Sequence, residues 1–128
     1  MARILVIEDN KLARLTLRKT LERNGHEIVE ATNGVEGIAM YRAQSFDLVI
    51  TDIIMPEKEG IGTIIELKHS FPNVRVIAMS GGGRTRNLDF LQIAKQYGAQ
   101  AVLAKPFSED ELIGAIEGVL VSPGAGHA

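Results

Sequence analysis

At 128 residues the chain has the length of one domain, and its 45% hydrophobic and 23% charged composition is that of a folded protein with its own core. The 14 Lys and Arg against 16 Asp and Glu leave a formal net charge of −2, without the basic excess of a dedicated nucleic-acid binder; the absence of cysteine excludes a disulfide framework, a thiolate zinc site, an iron–sulfur cluster and a thiol nucleophile. No apolar run approaches the ~20 residues of a membrane span and the first residues lack the apolar stretch of a signal peptide, so a cytoplasmic domain without membrane contact is expected.

A β-rich run at Ile4–Ile7 comes first. Ala13, Thr16, Leu17, Thr20 and Leu21 then recur on one face at helical spacing, and Asn24-Gly25 supplies a left-handed stop. A second strand reads at Glu27–Glu30. Asn33-x-x-Glu36 opens the next helix as a capping box, preferred to a hairpin at Asn33-Gly34 because helical spacing follows. The third strand is Leu48–Thr51, and the helix after it closes at Pro72-Asn73. The fourth strand reads at Val74–Met79, with a helix closing at Tyr97-Gly98. The fifth spans Ala101–Ala104, and Ser108-x-x-Glu111 opens the last helix. Strict alternation of five strands and five helices implies a doubly wound α/β domain, with helices on both faces of a parallel sheet. The first and third strands are the most uniformly apolar, as central strands are. The domain is assigned to residues 1–121, and 122–128 read as a flexible tail or the start of a cut linker.

Ligands of such sheets bind beyond the carboxyl ends of the strands. There the first strand runs into Glu8-Asp9, the third into Asp52, the fourth ends at Ser80, and the fifth at Lys105-Pro106. Any one of these acids, alone, reads as a helix cap; together they place three carboxylates, a hydroxyl and an ammonium at one edge. Carboxylates that crowd together raise one another's pKa unless a cation intervenes. Lys105 leaves a deficit of roughly two charges, which a hard divalent cation fills. Oxygen donors without Cys or His point to Mg²⁺, which keeps open positions for phosphate oxygens. His26, His69 and His127 are scattered and read as surface residues. A carboxylate is a competent nucleophile towards phosphorus, and Asp52 is the most central of the three. Asp9 then serves as a direct metal ligand and Glu8 as one acting through water. Lys105 and Ser80 hold phosphoryl oxygens, beside a small Gly81 that leaves room for the group.

With Ile4-Leu-Val-Ile-Glu-Asp9, Asp52-x-x-Met-Pro56 followed by Gly60, then Ser80 and Lys105-Pro-Phe107 in this order, the sequence resembles a response-regulator receiver domain of two-component signalling over residues 1 to 121. The resemblance implies a flavodoxin-like five-stranded fold of order 2-1-3-4-5 and phosphorylation of Asp52. It implies Mg²⁺ held by Asp9, Asp52 and the Ile54 backbone carbonyl, with Glu8 acting through water. The implied donor is a phosphohistidine on a sensor histidine kinase or a histidine phosphotransfer protein, and the output is a changed contact with a downstream protein. A cis Lys105–Pro106 bond and, on activation, pairing of two copies through the fourth helix, fifth strand and fifth helix belong to the same pattern. The family's docking face for its phosphodonor would fall on Leu12, Leu15, Pro106 and Phe107; the plainer reading is that Leu12 and Leu15 cover neighbouring apolar surface.

The chain departs from the family in two places. The aromatic residue that usually couples to Ser80 is replaced by Val102, and the segment from Gly81 to Gly98 is longer than usual, opening with Gly-Gly-Gly-Arg-Thr-Arg. Its glycines mark a mobile output region, and Arg84 and Arg86 read as a partner contact or as a solvated helix start. Apolar Ile54, two residues past Asp52, is expected to slow hydrolysis of the phosphoryl group, and Gly82 occupies the matching place after Ser80. The protein is thus read as a phospho-acceptor with self-catalysed chemistry only, not an enzyme. A phosphorylation-independent scaffold is kept open by Val102. An Asp-nucleophile phosphatase lacks its second acid, because Ile54 stands there, and a flavodoxin-like carrier is disfavoured by the acids at Glu8-Asp9. A stand-alone chain and the receiver portion of a longer regulator cut near Ser122-Pro123 both remain open.

Overall fold

The five β-rich runs form one parallel sheet in the order β2-β1-β3-β4-β5. In the computed structural model, which describes residues 1–53, 59–80 and 87–121, the strands are β1 (Arg3–Ile7), β2 (Glu27–Ala31), β3 (Leu48–Asp52), β4 (Val76–Ser80) and β5 (Ala101–Ala104). They alternate with α1 (Lys11–Arg23), α2 (Gly34–Ala43), α3 (Glu59–Ser70), α4 (Asn87–Gln96) and α5 (Glu109–Val121). The fold is therefore the doubly wound, flavodoxin-like arrangement.

Alternate strand residues point to opposite faces, which splits the core in two. Ile4, Val6, Leu48, Ile50, Ile77 and Met79 face one way and pack on Leu17 and Leu21 of α1 and Leu112 and Ile116 of α5. Leu5, Ile7, Val49, Val76 and Ala78 face the other and pack on Ile38 of α2, Ile64 and Leu67 of α3 and Ala94 of α4. β4 is as fully buried as β3, so the central trio includes the fourth strand along with the first and third. At the end of the sheet opposite the acids Tyr41 stacks on Phe46 and meets Phe71 at a tilt, with Arg3 over Phe46 and Arg42 over Phe71.

Local signals work with small shifts. Gly25 and Gly98 close α1 and α4 at φ of +91° and +117°, the left-handed region that favours glycine. Ser108 and Glu111 form a reciprocal capping box: Glu111 N–H donates to Ser108 Oγ at 3.0 Å and Ser108 N–H to Glu111 Oε1 at 2.8 Å. Asn33 caps α2 by accepting from Glu36 N–H at 2.8 Å, but Glu36 Oε1 returns to Thr32, taking both its N–H and its hydroxyl. The fourth strand starts at Val76, two residues later than its β-rich run, because the Val74 N–H is used in a turn to Phe71. Thr16, grouped by spacing with the inward stripe of α1, is exposed and donates its hydroxyl to the Leu12 carbonyl at 2.8 Å. The 3.6-residue period leaves it at the margin of that stripe, on the side of a groove towards α5. Among the described residues no helix is long and apolar enough to cross a membrane.

Candidate functional site

β1, β3, β4 and β5 deliver Glu8, Asp52, Ser80 and Lys105 to the same end of the sheet. Register explains the convergence: Asp52 pairs with Met79, one residue before Ser80, and Ser80 pairs with Ala104, one residue before Lys105. The Lys105 N–H donates to the Ser80 carbonyl at 2.7 Å, which ties the last turn of β5 to the end of β4. The peptide that follows, Lys105–Pro106, is cis.

Lys105 Nζ donates to Asp52 Oδ2 at 3.0 Å and to Glu8 Oε1 at 3.1 Å. Both acids are nearly out of solvent, Glu8 at 1% exposure and Asp52 at 5%. Glu8 also accepts from the Asn10 N–H at 3.1 Å through its other oxygen. Burial pushes the Glu8 carboxyl up to about 7 against that N–H, with the Asp52 charge adding to the rise and Lys105 opposing it. Burial disfavours the Lys105 ammonium, yet its bonds and charge interactions with Asp52 and Glu8 prevail and raise its pKa. Ser80 is fully buried, and its Oγ has no hydrogen-bond partner among the described residues. A hydroxyl in that state is ready to meet an incoming acceptor.

Asp9 stands at the surface beside this pair, and among the described residues no three His, Cys, Asp or Glu side chains gather into a metal-ligating group. The acids therefore form an open edge and not a closed cage. One ammonium faces two buried carboxylates, every donor is oxygen, and a hydroxyl lacks a partner. That set fits Mg²⁺, which binds through a few carboxylates and completes its shell with water and phosphate oxygens. Ile54, Met55, Pro56, Gly81, Gly82, Arg84, Arg86 and His127, with the rest of 122–128, lie outside the described residues.

The remaining expectations have definite places. Val102 is partly buried against the α2–α4 core and pairs with Ala78, two residues before Ser80 in β4. Leu12 is 72% exposed and lines a cavity of about 550 Å³ between α1 and the start of α5, with Pro106, Phe107 and Leu112 opposite. Leu15 is exposed but does not line it. His69 is at the surface, whereas His26 is half-buried, its Nδ1 accepting from the Ala2 N–H at 3.1 Å. Sequence reasoning missed Arg14, which reaches the Glu8 carbonyl from behind, and Glu30, which pairs with Arg14. Their signal was an acid inside an apolar strand, Glu-Ile-Val-Glu-Ala, facing two arginines four residues apart on the preceding helix.

The family model for the response regulator receiver domain matches residues 4–117. The chain belongs to the response regulator receiver family. It is 36% identical to the chemotaxis protein CheY of Bacillus subtilis over 119 residues, 92% of this chain and 97% of that protein. It is 39% identical to the transcriptional regulatory protein PdtaR of Mycobacterium tuberculosis over 118 residues, covering 90% of this chain but only 55% of that protein. A crystal structure of a receiver domain protein from Clostridium thermocellum superposes with a TM-score of 0.85 at 33% identity, over 94% of each chain. Receivers are the signalling modules of two-component and phosphorelay systems. They exchange contacts with histidine kinases or phosphotransfer proteins and with downstream targets.

Proposed function

We propose that this receiver accepts a phosphoryl group on Asp52 from a phosphohistidine and changes its protein contacts as a result. The observation that carries the reading is the shared ammonium: Lys105 Nζ bonds Asp52 on one side and Glu8 on the other, at the end of a sheet that buries both acids. Asp9 and Asp52 would hold Mg²⁺ directly, with the Ile54 carbonyl, and Glu8 through water. Bound there, the ion supplies the positive charge that Lys105 alone lacks for a phosphoryl group beside these carboxylates.

This chain's residues then divide the work. An Asp52 carboxylate oxygen attacks phosphorus; the bond from phosphorus to the donor's imidazole nitrogen breaks, and its electron pair stays on that nitrogen, which takes up a proton. Lys105, already 3.0 Å from Asp52, neutralises charge on the transferred oxygens. The Ser80 hydroxyl gains in the phosphorylated state the partner that it lacks without it. The donor's helix docks in the groove beside Leu12, Pro106 and Phe107, with Leu15 exposed on the same helix as Leu12, and no nucleic acid contact is required of the domain. Val102 in place of the aromatic leaves Ser80 as the moving half of the switch.

Incubation with acetyl phosphate and Mg²⁺, followed by intact mass, tests the reading. The parent is expected to gain one phosphoryl group and Asp52→Ala none. No gain at any Mg²⁺ concentration favours a phosphorylation-independent scaffold instead.

A further inference from the structure

Arg14 lies one turn into α1, yet its guanidinium reaches back to the end of β1. Nη1 donates to the Glu8 backbone carbonyl at 2.8 Å, and Nε donates to Glu30 Oε1 on β2, also at 2.8 Å. The Arg14 side chain is 13% exposed and that of Glu30 25%. The other oxygen of Glu30 takes Arg18 Nη1 at 2.6 Å, so its carboxylate is fixed from both sides. Hydrogen bonds from Arg18 first, and from Arg14, outweigh burial and hold the Glu30 carboxyl below its usual range.

The carbonyl held by Arg14 belongs to the peptide that joins Glu8 to Asp9. Its direction therefore sets how Asp9 leaves the strand. The other polar groups of Glu8 are already committed: its N–H to the Ala31 carbonyl at 3.1 Å, and its carboxylate to Asn10 and Lys105. The Arg14 bond acts on the Glu8–Asp9 peptide itself, at its carbonyl oxygen. A bare guanidinium this close to the acids would oppose a bound cation, and Glu30 offsets that charge. A planar fork makes two directed bonds at once, which a lysine ammonium does not reproduce.

We infer that Arg14, with Glu30 as its counter-charge, is a positioning residue that sets the Glu8–Asp9 peptide for Mg²⁺ binding. The inference rests on Glu8, Asp9 and Asp52 being the Mg²⁺ site. Groups that orient metal ligands from behind typically change affinity about 10–100-fold when replaced.

The test is a Mg²⁺ titration of the unphosphorylated chain, followed through the amide resonances of Asp9 and Asn10, in the parent, Arg14→Lys, Arg14→Ala and Arg3→Ala. Arg3 bonds Glu27, Gln44 and the Ser45 carbonyl at the far end of the sheet, so its variant reports what general destabilisation does. The dissociation constant is expected to rise about tenfold in Arg14→Lys, at least as much in Arg14→Ala, and less than about twofold in Arg3→Ala. Amide hydrogen exchange at Asn10, whose N–H bonds the Glu8 carboxylate across the Glu8–Asp9 peptide, should quicken in the metal-free Arg14→Lys chain and not in Arg3→Ala, a readout that needs no bound ion. Parental affinity and exchange in Arg14→Lys overturn the inference and leave the metal site standing. An equal loss in Arg3→Ala overturns it as well, by reducing Arg14 to a structural role. A parent that binds no Mg²⁺ overturns the site reading and the inference together.

Discussion

Gly60, at the start of α3, lies directly against the end of β3: a β-carbon there would overlap the Asp52 carbonyl oxygen and the Ile53 Cα. The first turn of α3 thus packs on the peptide after the acid, an approach that only glycine allows. Gly60→Ala is expected to destabilise the domain by about 1–3 kcal/mol, as overpacking does, and to slow labelling of Asp52 because that peptide must yield. Gly62, with open space around it, is the contrast: Gly62→Ala should stabilise by about 0.5–1 kcal/mol. Urea unfolding of both variants checks the pair, and parental stability in Gly60→Ala contradicts the packing.

Ser80 makes the opposite kind of statement. A buried hydroxyl without a partner is a defect that burial charges at about 1–3 kcal/mol. Ser80→Ala should therefore raise the unfolding free energy, by about 1 kcal/mol after a small packing loss, while its phosphorylation by acetyl phosphate slows. A less stable Ser80→Ala would show that the hydroxyl is bonded in solution.

His26 gives the unmodified chain a pH dependence. Its Nδ1 must be unprotonated to accept from Ala2. Burial lowers its pKa below the ordinary 6.5, the N-terminal ammonium adds to the fall, and Glu117 opposes it. The unfolded chain therefore takes the proton more readily, so this part of the stability is present above about pH 6.5 and drains away as the pH drops below it. Urea midpoints measured at about pH 7.5 and about pH 5.5 should fall more in the parent than in His26→Asn, whose carboxamide oxygen still accepts. Equal falls contradict the assignment.

Hydrolysis tests the residue two past the acceptor. Ile54→Asn is expected to shorten the lifetime of the phosphorylated protein, because a polar side chain can orient an attacking water and an apolar one cannot. Decay of the phosphorylated mass with time in both proteins measures it, and an unchanged or longer lifetime contradicts the expectation.

Much of this molecule is legible from residues alone, for reasons that are local. Alternating β-rich and helical runs dictate a parallel sheet, the glycines at 25 and 98 mark helix ends where φ turns positive, and Ser108 with Glu111 announces a cap. The acids, serine and lysine are visible at strand ends because a doubly wound sheet brings those ends together. What is not legible is three-dimensional choice. Spacing places Thr16 with Leu17 and Leu21, but only the gap between α1 and α5 decides that it faces outward. Sequence gathers Glu8, Asp9 and Asp52 at one edge without saying which of them are buried; the fold buries the first and last around one ammonium and leaves Asp9 at the surface. The hold of Arg14 on the Glu8 carbonyl depends on a side chain crossing from a helix to a strand end, and no linear pattern states that bond.

The central claim is that Asp52 carries the phosphoryl group. After labelling with acetyl phosphate and Mg²⁺, borohydride reduction converts an aspartyl phosphate to homoserine and leaves free carboxylates untouched, so peptide mapping reads the position directly. Homoserine at position 52 alone is the predicted result. Homoserine at another acid such as Asp9, or at none, would contradict it.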